Sequence, residues 1–332
     1  MGQSKMLITY VIPVLDQERT ILRAVFSALA IAEELDGAIL VCVNKCSDST
    51  LDLVSGLRND RITILSSDVL LSMRENALRG LLEVKTPYAC FLSGDDWLPF
   101  DGQIQLAAVA QEALINNLSP VFFGDYHIVL NQNDDSKNVI CSLEETWSST
   151  PRRRQRENII KIHLPNLNGA WVPIDLFIAG MKAIPLYMPE ELTSYAGDVP
   201  FWWFLVDSAV VQYVPVNQVN YNGELDGIEV GGYQKRARHM QLQGIFSFYS
   251  NLLDDKSMEE YFSMISREKI NALTFSKNIS KNELKKIAKK FSHQKDPWIN
   301  YVIYGAIENY YLMFLFYQFF TRVYRKLKIW KK

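Results

Sequence analysis

The sequence predicts an α/β fold, a mostly parallel sheet flanked by helices, followed by a helical C-terminal extension. Three observations lead there. Up to about residue 130, short β-rich runs alternate with longer amphipathic segments, the pattern of βα units. The apolar run Tyr88–Leu92 ends abruptly in polar residues and two adjacent carboxylates, at the strand terminus where open α/β sheets bind ligands. Beyond Arg236 no strand alternation is visible.

Leu7–Ile12 is the first predicted strand. The apolar run Leu7–Leu15 that contains it is too short to cross a bilayer, holds Pro13 and is followed by charged residues rather than a small-residue cleavage site, so it reads as a strand and not a signal peptide. In the predicted helix Glu18–Leu35, Ile21, Leu22, Val25, Ala28, Leu29 and Ala32 recur at helical spacing and form a sheet-facing stripe. Strands follow at Ala38–Val43, Ile62–Leu65, Tyr88–Leu92 and Val121–Leu130, with helices at Ser49–Leu57, Leu70–Val84 and Gln103–Asn116. Asn131–Lys137 has the composition of an exposed loop, and a more irregular stretch runs to about Asn222. Arg152, Arg153, Arg154 and Arg156 lie in it; a solvated face suits such a run better than an anion grip.

Tyr301–Thr321 is aromatic and apolar but interrupted by Glu308, Asn309 and Gln318, and it leads into six basic residues between Arg322 and Lys332. Two readings stand side by side: an interfacial helix on anionic lipid, or a helix packed on the main domain or on a second copy in a homo-oligomer. The expected organisation is a domain over residues 1–225, with halves 1–130 and 131–225, and a helical region over 226–332.

With 332 residues, 48% apolar and 22% charged, the chain belongs among ordinary globular proteins. A net charge of −2 argues against nucleic-acid binding through a basic surface. Cys42, Cys46, Cys90 and Cys141 are scattered without metal-type clustering, which suits a reducing, cytoplasmic compartment. Neither a G-x-G-x-x-G after the first strand nor a G-x-x-x-x-G-K-[ST] occurs. The segment Pro13-Val14-Leu15-Asp16-Gln17 stands where a sugar nucleotidyltransferase carries a Gly-rich basic loop.

The sharpest chemical signal is Phe91-Leu92-Ser93-Gly94-Asp95-Asp96-Trp97-Leu98-Pro99. Two neighbouring carboxylates repel unless a cation or hydrogen bonds offset the charge. Mg²⁺ or Mn²⁺ bound through carboxylate and diphosphate oxygens is one solution; service as caps of the helix that follows is the other.

The order of motifs adds to this. Tyr10-Val11-Ile12-Pro13-Val14 followed by Glu18 resembles the "V-I-P-x-Y-N-x-E" opening of the family 2 glycosyltransferases, with Leu15-Asp16 in place of Tyr-Asn. The stretch from Ile39 to Thr50 is similar to that family's "V-x-N-G-C-T-D-x-T". Arg74-Glu75-Asn76 resembles "A-R-N-x-G", and the strand end resembles "F-L-D-x-D-D-x-x-x-P" with Ser93 at the first acid. Asn168-Gly169-Ala170-Trp171 through Gly180 resembles the acceptor-side segment without its paired basic residues, and Ala196-Gly197-Asp198 through Trp203 stands where the family has "G-E-D-x-x-x-W".

The resemblance covers roughly Leu7 to Val206. It implies a GT-A-like fold and inverting transfer from a nucleoside-diphosphate sugar to a glycan or lipid-linked glycan, in cell-surface polysaccharide synthesis; the aromatic and basic C-terminus points to an acceptor at the inner face of a membrane. It further implies that Pro13, Asp16, Glu18, Asn44, Asp48, Arg74, Asn76, Ser93, Gly94, Asp95 and Asp96 bind the donor, with Asp95 on a divalent cation. Asn168, Gly169, Trp171 and Trp202 fall on the acceptor side, and Asp198 is the base. The "Q-x-x-R-W" of processive members is absent, so single addition is expected. Core packing is the alternative for Trp171, Trp202 and Trp203, and a helix cap is the alternative for Asp198. His163, His239 and His293 show no metal spacing; His127, with Asp125 before it, has an approach to the acceptor as one reading and a satisfied strand-end residue as the simpler one. Ser93 and Gly197 leave open a degenerate domain that binds a glycan, a nucleotide or a partner without turnover; Asp95, Asp96 and Asp198 favour the enzyme.

Overall fold

The computed structural model describes residues 6–129, 138–147, 165–188 and 197–222, with Pro151, Gln155, Ile159, Thr193 and Phe248 besides. The elements in order are β1 (Ile8–Val14), α1 (Ile21–Glu34), β2 (Ala38–Val43), α2 (Thr50–Ser55), β3 (Ile62–Ser66), α3 (Met73–Leu81), β4 (Tyr88–Phe91), α4 (Phe100–Ile115), β5 (Val121–Val129), β6 (Val139–Cys141), α5 (Glu144–Trp147), β7 (Trp171–Pro173), α6 (Ile174–Tyr187), α7 (Asp198–Ser208) and β8 (Val211–Asn222). The chain divides into two compact units, Met1–Lys235 and Arg236–Lys332. All of these elements belong to the first.

β1 and β4 are buried at every position, as strands covered on both faces must be. Strands β3, β2, β1 and β4 pair in parallel in that order. β7 pairs antiparallel with both β4 and β5, so β5 points the same way as β4. The carboxyl ends of the parallel strands therefore share one edge. β8 runs parallel along β5, and β6 pairs with the end of β5 on the other flank.

Alternation along each strand sorts the helices. Tyr10, Ile12 and Val14 of β1, with Val41 and Val43 of β2, pack with Ala24, Val25 and Ala28 of α1 and with Leu106 and Ala110 of α4. On the opposite face, a Cβ at Gly80 of α3 would lie 2.3 Å from Cys42 Sγ and 2.9 Å from Val11 Cγ1, so the α3 backbone rests directly on the sheet. From β1 the chain winds outward through β2 and β3 and returns to β4 on the other side of β1. This makes a switch point between β1 and β4, the place where open sheets hold ligands. Pro13 sits there without cost. Val11 O accepts from Leu92 N, so Pro13 faces the same flank one step past the last β1–β4 pair, and its missing N–H breaks no ladder bond.

The sheet up to β5 lies within a few residues of the predicted strands, and the helices shift by similar amounts. The predicted irregular stretch is a correction: it holds β6, β7, α6, α7 and the long β8. Two register shifts explain why β8 is hard to read. Phe123 pairs with Tyr213, Asp125 with Asn217 and Tyr126 with Val219, so β8 carries extra residues in two bulges. Pro215 falls in the first, where its missing N–H is harmless, and Gln218 in the second. The expected loop Asn131–Lys137, the Arg152–Arg156 run and everything expected of residues 301–332 lie outside the described residues.

Candidate functional site

Two loops at the carboxyl edge clasp one another. Asp16 follows β1 with φ +53°, a conformation that Asp tolerates better than most side chains. Its Oδ1 accepts from Ser47 N at 2.6 Å. Glu18 N donates to Asp48 Oδ2 at 3.0 Å, and Glu18 Oε2 accepts from Ser49 N at 3.2 Å. Burial would raise the Asp48 pKa, but bonds from the Thr50 hydroxyl and the Glu18 and Thr50 N–H groups outweigh it and hold this carboxylate below its usual range.

The turn after β4 is fixed from three sides. Gly94 passes so close to β1 that a Cβ would stand 2.7 Å from Val14 Cγ1. Asp96, 1% exposed, accepts Asn168 Nδ2 on Oδ2 at 2.6 Å and Asn222 N on Oδ1 at 2.9 Å. Asn168 Oδ1 in turn accepts from Ser93 N at 3.0 Å and from Ser93 Oγ at 3.2 Å. One buried carboxylate thus joins the β4 turn, the Asn166–Gly169 loop and the end of β8. On the α1 side, Arg23 lies 3.9 Å over the Trp97 ring and donates to Asp95 O at 2.9 Å.

Behind that loop is a buried amide network. Gln103 of α4 donates from Nε2 to Gly169 O (3.0 Å) and Gln218 O (2.7 Å), and its Oε1 accepts Trp171 Nε1 at 2.7 Å. Gln218 donates from Nε2 to Asn166 O and Asn168 O, while its Oε1 accepts Gly124 N. Every polar atom of the two amides is used, the condition under which buried polar groups rigidify rather than destabilise. Gly169 has φ +80°, and a Cβ there would meet Gln218 O at 2.4 Å; only glycine fits.

These supports shape an open cleft of about 220 Å³ on the α3, α6 and α7 side. Arg74, Ser93, Asn168 and Asp198 line it, with Phe91 and Phe201 as apolar wall. Arg74 Nη1 donates to Met181 O at 3.4 Å. Asp198 opens α7, and its Oδ1 accepts from Val199 N at 3.1 Å. Burial raises its pKa above the usual carboxylate value, and that hydrogen bond only partly offsets the effect. A carboxylate so placed can take a proton from a bound hydroxyl.

No family model matches the sequence, and no curated protein is significantly similar to it. Likeness appears at the level of fold. S. aureus TarS superimposes with a TM-score of 0.53 at 14% identity, over 91% of this chain and 55% of that one. The chain thus spans about half the length of TarS. TarS 1–349 in complex with UDP gives 0.51 at 16% identity, over 92% of this chain and 89% of that one, and its complex with UDP-GlcNAc gives the same values. The architecture is the GT-A-like α/β sheet flanked by helices.

Against this frame the residues singled out in the sequence separate. Arg74, Ser93, Asn168 and Asp198 meet on the cleft. Asp16, Glu18 and Asp48 build the loop clasp. Asn44 and Asn76 are occupied elsewhere: the Asn44 amide exchanges bonds with the backbone of Leu71 (2.9 and 3.0 Å), and Asn76 Nδ2 donates to Cys42 O at 2.7 Å. Trp171 and Trp202 are corrections, since both are fully buried and cannot stack on a sugar. Trp171 packs on Tyr88 and Trp202 on Phe123. Asp96 accepts bonds from Asn168 Nδ2 and Asn222 N, so both of its oxygens serve the protein. Asp16, Cys46 and Asp48 bring potential metal-ligand atoms within 4.8 Å of one another. Both carboxylates already accept backbone N–H bonds, and burial raises the Cys46 thiol against ionisation. Gln103, Gln218, Asn222 and Arg23 escaped sequence reasoning; a Gln or Asn inside an otherwise apolar-periodic segment was the available signal. His163, His239 and His293 lie outside the described residues. Among those residues no helix is long and apolar enough to cross a membrane.

Proposed function

We propose that the chain transfers a sugar, with inversion, from a nucleoside-diphosphate sugar to a glycan or lipid-linked glycan acceptor in cell-surface polysaccharide synthesis. The observation that carries this reading is the convergence of Arg74, Ser93, Asn168 and Asp198 on one cleft beside the switch point. The fold likeness to TarS, crystallised with UDP and with UDP-GlcNAc, supports it.

In this reading the acceptor hydroxyl attacks the anomeric carbon while the diphosphate leaves from the opposite face. Asp198 takes the hydroxyl proton as the new bond forms. The Arg74 guanidinium faces the charge that grows on the departing diphosphate, and the Ser93 hydroxyl, held by Asn168, bonds the donor's ribose. Asp96 is spent inside the protein, so Asp95 is the carboxylate at this turn that would hold Mg²⁺ or Mn²⁺, and one carboxylate shared with diphosphate oxygens suits a hard cation. Such an ion supplies positive charge beside the leaving group.

Ser93 in place of an acid and Gly197 in place of an acidic neighbour favour a second reading, a binding module without turnover. Two variants separate them. Asp198→Ala keeps UDP-GlcNAc binding within about twofold by calorimetry and lowers transfer by roughly 10²–10⁴. Asp95→Ala removes the Mn²⁺-dependent part of donor binding. Full turnover by Asp198→Ala would assign the base elsewhere.

A further inference from the structure

We infer that Asn166 binds the acceptor in the cleft, its side-chain amide donating to a sugar oxygen beside the hydroxyl that Asp198 deprotonates, an assignment that rests on the transferase reading. The residues that the sequence put on the acceptor side are spent inside the protein. Asn168 bonds Asp96 and Ser93, Gly169 is wedged against Gln218 O, and Trp171 and Trp202 are fully buried. Asn166 precedes them on the same loop, is half-buried and lines the cleft with Ser93 and Asp198.

The amide is oriented before any ligand arrives. Asn166 Oδ1 accepts from Asn168 N at 2.9 Å, and Gln218 Nε2 holds the Asn166 carbonyl at 2.7 Å. A backbone N–H can only donate, so its partner is the oxygen end of the amide, and Nδ2 stands at the other end. Among the described residues Nδ2 has no protein acceptor, and it is not sealed from solvent. Fixing the group in advance removes part of the ordering cost that a free side chain would add on binding. Nδ2 donates and does not accept, so the ligand atom that it meets is an acceptor, as a sugar hydroxyl or carbonyl oxygen is. Leu167 and Phe201 give the same cleft apolar surface for the C–H groups of a sugar.

The sheet order points to the substrate that this amide meets. β1 pairs with β4 on one side, and the Asn166–Gly169 loop runs along the other, where Asn168 bridges Phe91 and Gly169 N donates to Phe91 O at 2.9 Å. The proposed nucleotide crevice lies between β1 and β4, so Asn166 stands on the far side of β4 from it. Asp198, the proposed base, lines the cleft there too. A sugar oxygen at that place belongs to the acceptor. The amide serves a neighbouring oxygen rather than the reacting one, whose lone pair must stay free for the attack.

Asn166→Asp separates recognition from support, because its retained oxygen keeps the Asn168 N bond while the donor end becomes an acceptor. The full chain is titrated by calorimetry with methyl β-glucoside, methyl β-galactoside and methyl N-acetyl-β-glucosaminide, each with and without UDP. At least one glycoside binds the wild type and moves the Asn166 side-chain amide signal in its NMR spectrum. Asn166→Asp weakens that glycoside about tenfold, the size of one hydrogen bond, and leaves UDP affinity within about twofold. Its melting temperature is retained, whereas Asn166→Ala, which also loses the loop bond, melts lower. No binding by any of the three, binding that leaves the amide signal unmoved, or binding unchanged in Asn166→Asp overturns the assignment. If Asn166→Asp spares the glycoside and weakens UDP tenfold, the amide belongs to the donor; the assignment then fails and the transferase stands. Glycoside binding that Asn166→Asp weakens, in a protein that binds no UDP, sinks the transferase and leaves the amide contact standing.

Discussion

Asp198 and Asp96 are both carboxylates at the carboxyl edge of the sheet, and their surroundings give them opposite behaviour. Burial raises the Asp198 pKa. Its contribution to stability is therefore fully present below the unfolded-state value and is lost as pH rises through the folded-state value. At neutral pH its charge opposes folding, so Asp198→Asn should raise the melting temperature there and leave it unchanged in acid, where the carboxyl is protonated in both states. Melting curves from pH 3 to pH 8 check this, and a lower melting temperature at neutral pH would mean that the Val199 bond outweighs desolvation. The same titration predicts that transfer falls off on the acid side at a pH above the ordinary carboxylate range. Asp96 acts as a structural acceptor. Its two oxygens serve Asn168 and Asn222 N, and Asp96→Asn turns one acceptor into a donor facing a donor. A loss of about 2–4 kcal/mol in urea unfolding, the same with and without Mn²⁺, follows from the cost of an unsatisfied buried partner. A gain in stability would instead mark the two acids as a repelling pair.

At the scale of elements, the parallel half of the sheet was legible because strands buried on both faces leave continuous apolar runs, and β1, β2 and β4 are such runs. β8 was not, for a reason visible in its side chains. Gln218 bonds the Asn166–Gly169 loop, and Asn217 bonds Asn220 and His127, so a strand paired along β5 carries the composition of a turn, and Pro215 completes the disguise. The stretch around Asn168-Gly169 stood out in the sequence, but its support did not. Gln103 occupies one position of α4, and nothing local announces that it bonds Gly169, Gln218 and Trp171 at once. Gln103→Ala should cost about 3 kcal/mol, since three buried groups lose their partner. Gly169→Ala should cost more than about 1 kcal/mol, because it adds backbone strain to a collision with Gln218 O. Both variants should weaken UDP binding more than a surface change of equal cost, because the Asn166–Gly169 loop holds Ser93 in place. Denaturation midpoints beside UDP titrations test the pair, and unaltered midpoints would remove the network from this role.

For the whole molecule, the sheet order fixes where chemistry can occur: outward from β1 through β2 and β3, back to β4, with a crevice between. The alternation of strands and helices predicted a mostly parallel sheet with ligands at the strand carboxyl ends, and the structure adds the strand order, whereas donor, acceptor and linkage depend on side chains that fold likeness does not determine. The aromatic and basic residues 301–332 bear on location, and we propose that they touch anionic lipid. In a sedimentation assay with vesicles containing phosphatidylglycerol, the intact chain should partition and the chain lacking 301–332 should not; equal partitioning contradicts the proposal. The proposed transfer stands on a nucleoside-diphosphate site at the switch point. Its most direct test is a thermal-shift screen of UDP, GDP, dTDP and CDP with and without Mn²⁺, on the wild type and on Asp95→Ala, because a ligand that binds the folded state raises its melting temperature by mass action. One nucleotide should stabilise the wild type in a Mn²⁺-dependent manner, and Asp95→Ala should lose that dependence, whereas no shift with any nucleotide, with or without Mn²⁺, would rule the site out.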